Sequence, residues 1–264
     1  MLRFVLTTLF LVAAFVCGLV VGRRAKRGVP LAIGGICLAL LGLRYFLNER
    51  IDLEYALLPF DFYVDVRMLW ACAVGEVILG IGVGATRSRV WRGAILGVAA
   101  AFASMIVFTF GLLSTEQYLG LNSNPPTSQH YQQSSGYSCG PAAAGAILLF
   151  LHGIKVSERE FGIVAGTSSC GGTSLFAAAK ALRRFAGPLG YRVRVLKPTW
   201  EELKKLKPPC MVTEKLTGLV DHWVVIKEFR DGKLVILNPL DGLMEPTEDE
   251  FRSIWRGDAV VLER

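Results

Sequence analysis

The stretch "QQSSGYSCGPAAAGAILLFLHG", residues 132–153, decides the fold of the C-terminal half of the chain. A polar loop rich in Gly and Ser runs into Cys139, and an apolar helix is predicted to follow it. Pro141 suits the first turn of this helix, and Gly153 suits its C-terminal cap. A cysteine at a helix N-terminus is expected to have a lowered thiol pKa, because unpaired backbone N–H groups stabilise the thiolate. The alternative is that Cys139 is a small buried apolar residue.

The cysteine pattern of the whole chain does not suggest a zinc site or a disulfide framework. Six cysteines are scattered along the sequence, and none of them forms a C-x-x-C pair. Three of them lie inside long apolar runs, where they need no chemical role. The cysteines therefore give no reason to expect a bound metal.

The N-terminal half has the composition of a membrane region. The chain has 264 residues, of which 52% are hydrophobic, and a mean hydropathy of +0.44. Within residues 1–113, four apolar runs at about 4–21, 29–47, 68–85 and 94–113 are each near the ~20 residues that cross a bilayer. The first run lacks a small-residue cleavage pattern, so it is predicted to remain as a span. The sequence thus predicts a multi-pass integral membrane protein, with the lipid bilayer as a partner.

The basic residues between the runs predict the orientation of these spans. The first and third loops carry seven Lys and Arg residues, whereas the second loop carries two: Arg23, Arg24, Lys26, Arg27, Arg87, Arg89 and Arg92 against Arg50 and Arg67. By the positive-inside rule, the first and third loops face the cytoplasm, and both termini face the other side. This placement also explains much of the net charge of +7, so nucleic acid is not expected as a partner.

For the remainder of the chain, the sequence predicts a polar linker, residues 114–129, and an α+β domain, residues 130–264. A second helix is predicted after Thr173 or Ser174, and a short helix after Thr199, since these residues suit N-caps. In the segment "YRVRVL", apolar and basic residues alternate, which predicts a strand. The clearest hairpin is built around Asp231-Gly232, which is a strong turn signal. Helices packed on an antiparallel sheet are the expected architecture.

The order of polar residues in this domain follows the logic of papain-like enzymes. Cys139 opens a helix, His222 opens a later strand, and Asn238 ends the next strand. In such a site the thiolate attacks a carbonyl, the imidazole takes and returns the proton, and the third side chain orients the ring. A simple ladder through the Asp231-Gly232 turn would place Asp241 opposite His222 instead. Asp241 is therefore the rival third residue, unless a bulge or a longer turn shifts the register.

Four features of this domain resemble one particular family. Gln133 precedes the cysteine of "CGPAA" by six residues, "HWVVIKE" begins with His222, Pro239 follows Asn238, and "FRSIWRGDAVVLE" closes the chain. They resemble the bacteriocin-processing, or double-glycine leader, peptidases, which are family thirty-nine of the cysteine peptidases and have a papain-like fold. The resemblance covers residues 128–263. It implies that Cys139 is the nucleophile, that His222 is the general base and acid, and that no cofactor is needed.

The same resemblance assigns two further roles and shows one departure. Gln133, together with the backbone N–H of Cys139, would stabilise the oxyanion. The family usually carries Asp as the third residue, whereas this chain has Asn238, whose amide oxygen can still accept from the imidazole N–H. The best-known family members are fused to an exporter. This chain shows no P-loop, so an exporter would be a separate partner.

The sequence therefore predicts a membrane-anchored cysteine peptidase that cleaves a peptide or protein substrate outside the cytoplasm. One alternative is a peptide- or leader-binding domain without turnover, although the intact Cys, His and Gln set disfavours it. The other alternative is a leader peptidase coupled to export.

Overall fold

The chain divides into two compact units in a computed structural model. The first comprises Met1–Arg50 and Pro59–Ser114, and the second comprises Ile51–Leu58 and Thr115–Arg264. The structure describes residues 2–24, 28–58, 61–111, 120–127, 131–169, 171–217 and 220–264. The predicted junction at 113/114, part of the predicted linker 114–129 and the predicted domain start at 130 lie outside these residues.

Four long helices make up the first unit: α1 (Leu2–Arg24), α2 (Gly28–Glu49), α4 (Asp61–Ala85) and α5 (Arg89–Gly111). The short helix α3 (Ile51–Leu57) lies between α2 and α4 in sequence but belongs to the second unit. Among the described residues, Gly28–Leu47 is long and apolar enough to cross a membrane, and Leu69–Ala85 is a shorter apolar stretch. The structure thus supports one candidate span where the sequence predicted four, and the other three remain predictions.

Helices α1 and α4 approach closely through paired glycines. A Cβ atom added to Gly18 would lie 2.2 Å from the carbonyl oxygen of Val77, and one added to Gly80 would lie 2.2 Å from that of Phe15. Gly22 and Gly84 repeat the contact four residues further along each helix, at 2.5 and 2.6 Å from carbonyl oxygens. Small residues at this spacing allow the backbones of membrane helices to pack directly against each other. Only glycine fits at these positions.

The second unit contains an antiparallel sheet with helices packed on it. After α3, its helices are α6 (Cys139–His152), α7 (Glu158–Ala165), α8 (Leu175–Ala186), α9 (Trp200–Lys205) and α10 (Glu248–Ile254). Its strands are β1 (Arg192–Leu196), β2 (Cys210–Lys215), β3 (Asp221–Arg230), β4 (Lys233–Asn238), β5 (Gly242–Met244) and β6 (Ala259–Glu263). Their order in the sheet is β1-β6-β2-β3-β4-β5. The predicted α+β class, with helices on an antiparallel sheet, is confirmed.

Local sequence signals account for most helix ends in this unit. Gly153 ends α6 in the left-handed conformation, with φ of 64°. Ser174 and Thr199 cap α8 and α9 through their side chains, as the sequence predicts. Helices α7 and α10 begin at capping boxes, Ser157 with Glu160 and Thr247 with Glu250, which are signals that the prediction above does not use.

The core of this unit lies between the sheet and the helices. Buried residues from alternate positions of β2, β3 and β4 pack with residues of α9 and α10: Val212, Val224, Ile226, Leu234 and Ile236 with Trp200, Leu203 and Phe251. Five consecutive residues are buried in each of β2, β3 and β4, so both faces of the central sheet are covered. Helix α6 packs against β3. This packing brings the N-terminus of α6 to the sheet.

A one-residue bulge sets the register between β3 and β4. From the Asp231-Gly232 turn the ladder pairs Glu228 with Val235, but beyond Lys227 it pairs Ile226 with Ile236. Continued by one step past Val225 and Leu237, this register places Asn238 opposite Val224. His222 lies two residues from Val224 on the same face, because side chains alternate along a strand. Without the bulge, Asn238 would lie on the opposite face from His222.

We expect the glycine contact between α1 and α4 to be sensitive to side-chain size. Gly80→Leu should destabilise the first unit by about 1–3 kcal/mol or more, because the added side chain meets backbone. Gly97→Leu in α5 is the matched control, since a Cβ there meets nothing within 4 Å. The thermal unfolding temperature of the full chain in detergent measures both. Equal unfolding temperatures for the two variants would contradict the close approach.

Candidate active site

Cys139 is the first residue of α6 and is buried, with 7% of its surface exposed. Burial raises the pKa of its thiol, and hydrogen bonds from the backbone N–H groups of Trp223 and Gly140 oppose this rise. The lowered pKa that the sequence predicted is therefore wrong for this structure. The helix N-terminus does stabilise the thiolate, but the loss of water around the sulfur outweighs it.

The same hydrogen bond places the sulfur beside β3. The ladder between β3 and β4 ends at Val225 and Leu237, so the two strands separate before Trp223 is reached. The sulfur accepts from the backbone N–H of Trp223, which directly follows His222. The indole Nε1 of Trp223 donates to the carbonyl oxygen of Thr173 at 2.7 Å, which holds this part of β3 against the start of α8.

Gly140 lies where the start of α6 packs closely against Thr173. A Cβ atom at this position would lie 2.6 Å from the Cβ of Thr173, so a larger residue would push the start of α6 away from the segment before α8. The Cys-Gly pair in the sequence is thus explained by a close approach and not by an unusual backbone conformation.

His222 is buried near the start of β3, with 2% of its surface exposed. Its Nε2 lies 2.9 Å from Oδ1 of Asn238. Burial lowers the pKa of the ring, while the bond to Asn238 and the negative charge of Asp241 raise it. The net direction is downward, so the neutral imidazole is favoured.

The side-chain amide of Asn238 has one consistent orientation. Its Oδ1 accepts from the backbone N–H of Leu240 at 2.8 Å, so this atom must be the oxygen. An amide oxygen can only accept, so the Nε2 of His222 must donate to it. The other ring nitrogen, Nδ1, is then left with its lone pair. The bond therefore selects the tautomer in which Nδ1 is the basic atom.

Asp241, the rival third residue, is not the group that bonds the ring. Its side chain is exposed, and its backbone nitrogen lies 3.4 Å from Oδ1 of Asn238. Its carboxylate acts on His222 through its charge. The structure brings Asn238, and not Asp241, into hydrogen-bonding contact with His222.

Gln133 lies next to the end of β4. Its backbone N–H donates to the carbonyl oxygen of Pro239 at 3.0 Å, which ties the loop before Cys139 to the residue after Asn238. Its side-chain Nε2 donates to the carbonyl oxygen of Ser135 at 2.7 Å. Its Oε1 is buried and has no hydrogen-bond partner among the described residues. Nε2 carries two hydrogens, so the bond to Ser135 uses one of them.

Glu158 organises this loop and is absent from the predicted site. It is completely buried at the start of α7. Its carboxylate accepts from the backbone N–H of Ser134 at 2.9 Å, from the hydroxyl of Ser138 at 3.1 Å and from the backbone N–H of Asn122 at 3.2 Å. The hydroxyl of Ser134 also donates to it. In the sequence, Glu158 reads as an ordinary acidic residue in a first helical turn, so no local signal identifies it.

The assembled side chains provide the parts of a thiol hydrolase. A buried thiol lies beside a strand that carries a buried imidazole, and an amide holds that imidazole in one tautomer. Among the described residues, no group of three or more His, Cys, Asp and Glu side chains is placed to hold a metal ion. The chemistry available from these residues is nucleophilic attack with general acid–base catalysis.

Comparison with known structures gives matches to about half of this chain. The peptidase domain of Streptococcus ComA, a bi-functional ABC transporter involved in a quorum sensing pathway, is 23% identical, with a TM-score of 0.44. That match covers 50% of this chain and 95% of that domain. A double glycine motif protease from an AMS/PCAT transporter, solved in complex with the leader peptide, is 22% identical, also with a TM-score of 0.44. It covers 53% of this chain and 98% of that protease.

Sequence comparison identifies the family. An uncharacterized protein of Methanothermobacter marburgensis is 30% identical over 133 residues, which is 50% of this chain and 87% of that protein. An uncharacterized protein of Methanothermobacter thermautotrophicus is 32% identical over 132 residues, or 50% of this chain and 86% of that protein. The model of the Peptidase C39 family matches residues 127–264. With this match over about half of the chain, the protein belongs to the Peptidase C39 family and is a cysteine peptidase with a papain-like fold.

Proposed function

We propose that this protein is a membrane-anchored peptidase that hydrolyses peptide bonds outside the cytoplasm. In this proposal Cys139 is the nucleophile, His222 is the general base and acid, and Asn238 orients the imidazole. Gln133 and the backbone N–H of Cys139 stabilise the oxyanion. The observation that carries the proposal is the contact of the Cys139 sulfur with the backbone N–H of Trp223, beside a histidine whose ring is bonded to Asn238.

The first half of the reaction forms an acyl-enzyme. Nδ1 of His222 takes the proton of the thiol as the sulfur attacks the carbonyl carbon of the substrate, and the carbonyl oxygen becomes an oxyanion. When the tetrahedral intermediate collapses, the carbon–nitrogen bond breaks. The imidazolium returns its proton to the leaving amine, and a thioester on Cys139 remains.

The second half releases the acid product. His222, again neutral, takes a proton from water, and the hydroxide attacks the thioester carbon. The carbon–sulfur bond then breaks, and the imidazolium returns its proton to the sulfur. Because the amide of Asn238 carries no charge, it orients the ring but stabilises the imidazolium less than a carboxylate would.

The anchor in this proposal is the four-helix first unit. Helix α2 supplies one candidate span, and the glycine contacts between α1 and α4 are of the kind that membrane helices use. Many apolar side chains on α1, α2 and α5 are exposed in the protein alone, which suits contact with lipid: Leu9, Phe10, Leu31, Ile36, Leu38, Val90, Trp91 and Val98. We infer four spans on this basis.

The position of α3 supports the proposed orientation. Tyr55 packs edge-on against Phe176 of α8 at 5.7 Å, and the guanidinium of Arg183 lies over the Tyr55 ring at 5.3 Å. Tyr55 is buried, and so is its neighbour Glu54. Helix α3 forms part of the loop between the second and third predicted spans. That loop and the peptidase domain can pack together only on the same side of a membrane, which requires an even number of crossings between them.

The proposed substrate is a peptide or protein on that side of the membrane. The positive-inside rule predicts that the second loop lies away from the cytoplasm, and the packing of α3 within the domain supports the same side for the active site. A separate exporter remains a partner of the alternative in which the domain is cytoplasmic and processes leader peptides.

We expect alkylation of Cys139 by iodoacetamide to accelerate steeply with pH. Burial favours the neutral thiol and the neutral imidazole, so the thiolate fraction should rise about tenfold per unit below the thiol pKa. The rate on the full chain, mapped to each cysteine by peptide mass spectrometry between pH 6 and pH 9, measures this. Cys210 is the internal control, because complete burial raises its pKa to about 12. A flat profile for Cys139 would indicate a preformed ion pair, and equal labelling of Cys210 would contradict the assignment of the reactive thiol.

Hydrolysis of a fluorescence-quenched peptide library tests the roles of the site residues. Cys139→Ala and His222→Ala should each abolish cleavage, and the double variant should be no worse, because the two residues act as a unit. Asn238→Ala should lower kcat by about tenfold or more, which is less than the loss of the general base. Asp241→Ala is the matched control and should stay within about twofold of the unmodified chain. A silent Asn238→Ala with a damaging Asp241→Ala would transfer the third role to Asp241.

Protease accessibility tests the orientation. Protease added to right-side-out spheroplasts should cut the chain near Pro125-Pro126, in the predicted linker. The basic first loop, residues 23–27, should be cut only after the membrane is lysed, and it serves as the control. Protection of the Pro125-Pro126 site until lysis would place the domain in the cytoplasm and would favour the export-coupled leader peptidase.

A further inference from the structure

The site contains a second polar residue behind Asn238. Glu214 lies on β2 directly opposite His222 in the antiparallel ladder between β2 and β3. Directly opposed side chains point to the same face of a sheet, with Cβ atoms about 4.5–5.5 Å apart. Asn238 lies on the same face of β4, opposite Val224, so the side chains of Glu214, His222 and Asn238 are neighbours on one face of the sheet. All three are buried, with exposed fractions of 8%, 2% and 4%.

The hydrogen bonds of Asn238 determine what Glu214 does in this group. Because Oδ1 of Asn238 faces the backbone N–H of Leu240 and the ring of His222, its Nδ2 must point the other way. Nδ2 lies 3.3 Å from Oε1 of Glu214 and 3.5 Å from the sulfur of Met244. A carboxyl oxygen is a far better acceptor than a thioether sulfur, so Glu214 is the principal partner of this N–H group.

We propose that Glu214 is a positioning residue of the active site. It accepts a hydrogen bond from Nδ2 of Asn238 and so keeps Oδ1 of Asn238 directed at the ring of His222. This inference rests on the proposed roles of Cys139, His222 and Asn238. A buried amide that lost its acceptor would be left with an unsatisfied N–H group, which is unfavourable away from water. Rotation or displacement of the amide would then release the ring and mix its tautomers.

The chemistry of an amide as third residue makes such a partner useful. A neutral amide stabilises the imidazolium only through its dipole, whereas a carboxylate would do so through its charge. An acceptor on Nδ2 polarises the amide and makes Oδ1 more negative, since hydrogen bonds in a chain strengthen one another. Glu214 thus places a carboxyl group in the site, and the amide of Asn238 lies between this group and the imidazole of His222.

The surroundings of Glu214 set its protonation state. Burial, with a further contribution from the charge of Asp241, raises the pKa of Glu214 to about 7. Titratable groups near this end of β2 include Asp221 and His222 on the paired strand β3, and Asp241, whose charge acts on Glu214. They also include Arg256 and Asp258, which hydrogen-bond to the backbone of Thr213. Both protonation states of Glu214 keep an oxygen that can accept from Nδ2 of Asn238.

The test uses the alkylation rate of Cys139 in the full chain, with iodoacetamide as the probe at pH 7. The sulfur must lose its proton near His222, so this rate reports whether the ring is held correctly, and it does not depend on finding a substrate. Glu214→Leu should lower the rate by about tenfold, which is less than the 10²–10⁴-fold contribution of a general base. Glu214→Gln, whose oxygen can still accept from Asn238, should stay within about threefold.

Glu228→Leu is the matched control, because it removes a partly exposed carboxylate from the strand that carries His222. Its alkylation rate should equal that of the unmodified chain. An unchanged rate in Glu214→Leu, or a fall in Glu214→Gln as large as in Glu214→Leu, would overturn the proposal. Loss of peptide hydrolysis in all conditions, with these alkylation rates as expected, would instead count against the proposed function.

An exchange of the two groups separates positioning from folding. Asn238→Asp alone brings two carboxyl groups to hydrogen-bonding distance, and at pH 8 their repulsion disturbs the position of the side chain at 238, which offsets the stronger stabilisation of the imidazolium by a carboxylate. In the double variant Asn238→Asp/Glu214→Gln the amide and the carboxyl group change places, and Gln can donate to Asp. We expect the double variant to alkylate faster than Asn238→Asp alone. A double variant that is equally slow or slower would overturn the proposal, even if Glu214→Leu fails to fold.

Discussion

The hydrogen bond between Nε2 of His222 and Oδ1 of Asn238 is the contact on which the active site depends. It exists because the bulge at Lys227 shifts the β3–β4 register by one residue, which moves Asn238 to the face that carries His222. The backbone N–H of Leu240 then fixes the amide, and the amide fixes the tautomer of the ring. In the proposed mechanism, one extra residue in a strand therefore decides which nitrogen of the His222 ring acts as the base.

Burial is the second constraint on the site. The thiol of Cys139 and the ring of His222 are both enclosed, so desolvation raises the thiol pKa and lowers that of the imidazole. Both effects favour the uncharged pair in the resting domain. In the proposed mechanism, charge separation develops as the thiolate attacks, in a site where backbone N–H groups already point at the sulfur. The completely buried carboxylate of Glu158 holds the loop that approaches this site from the other side.

The N-terminal unit follows different packing rules from the peptidase domain. Its helices α1 and α4 contact each other through backbone at paired glycines, whereas the domain core is built from interdigitated aliphatic and aromatic side chains. Such backbone contacts at small residues are also what drives the association of helices in lipid, and they therefore suit the membrane anchor proposed above. Helix α3 bears on the proposed orientation because it lies between α2 and α4 in sequence but packs within the domain unit.

The sequence by itself determined the features that depend on neighbouring residues. The start of α6 at Cys139, the cap at Thr199, a cap of α8 at Thr173 or Ser174, the Asp231-Gly232 turn and the motif shared with the Peptidase C39 family could all be read from short segments. The tertiary structure decided the direction of the Cys139 pKa, the choice of Asn238 over Asp241 as the partner of His222, and the positions of Glu158 and Glu214. Desolvation, strand register and the pairing of buried polar groups arise between segments that are distant in sequence, so no local pattern could specify them.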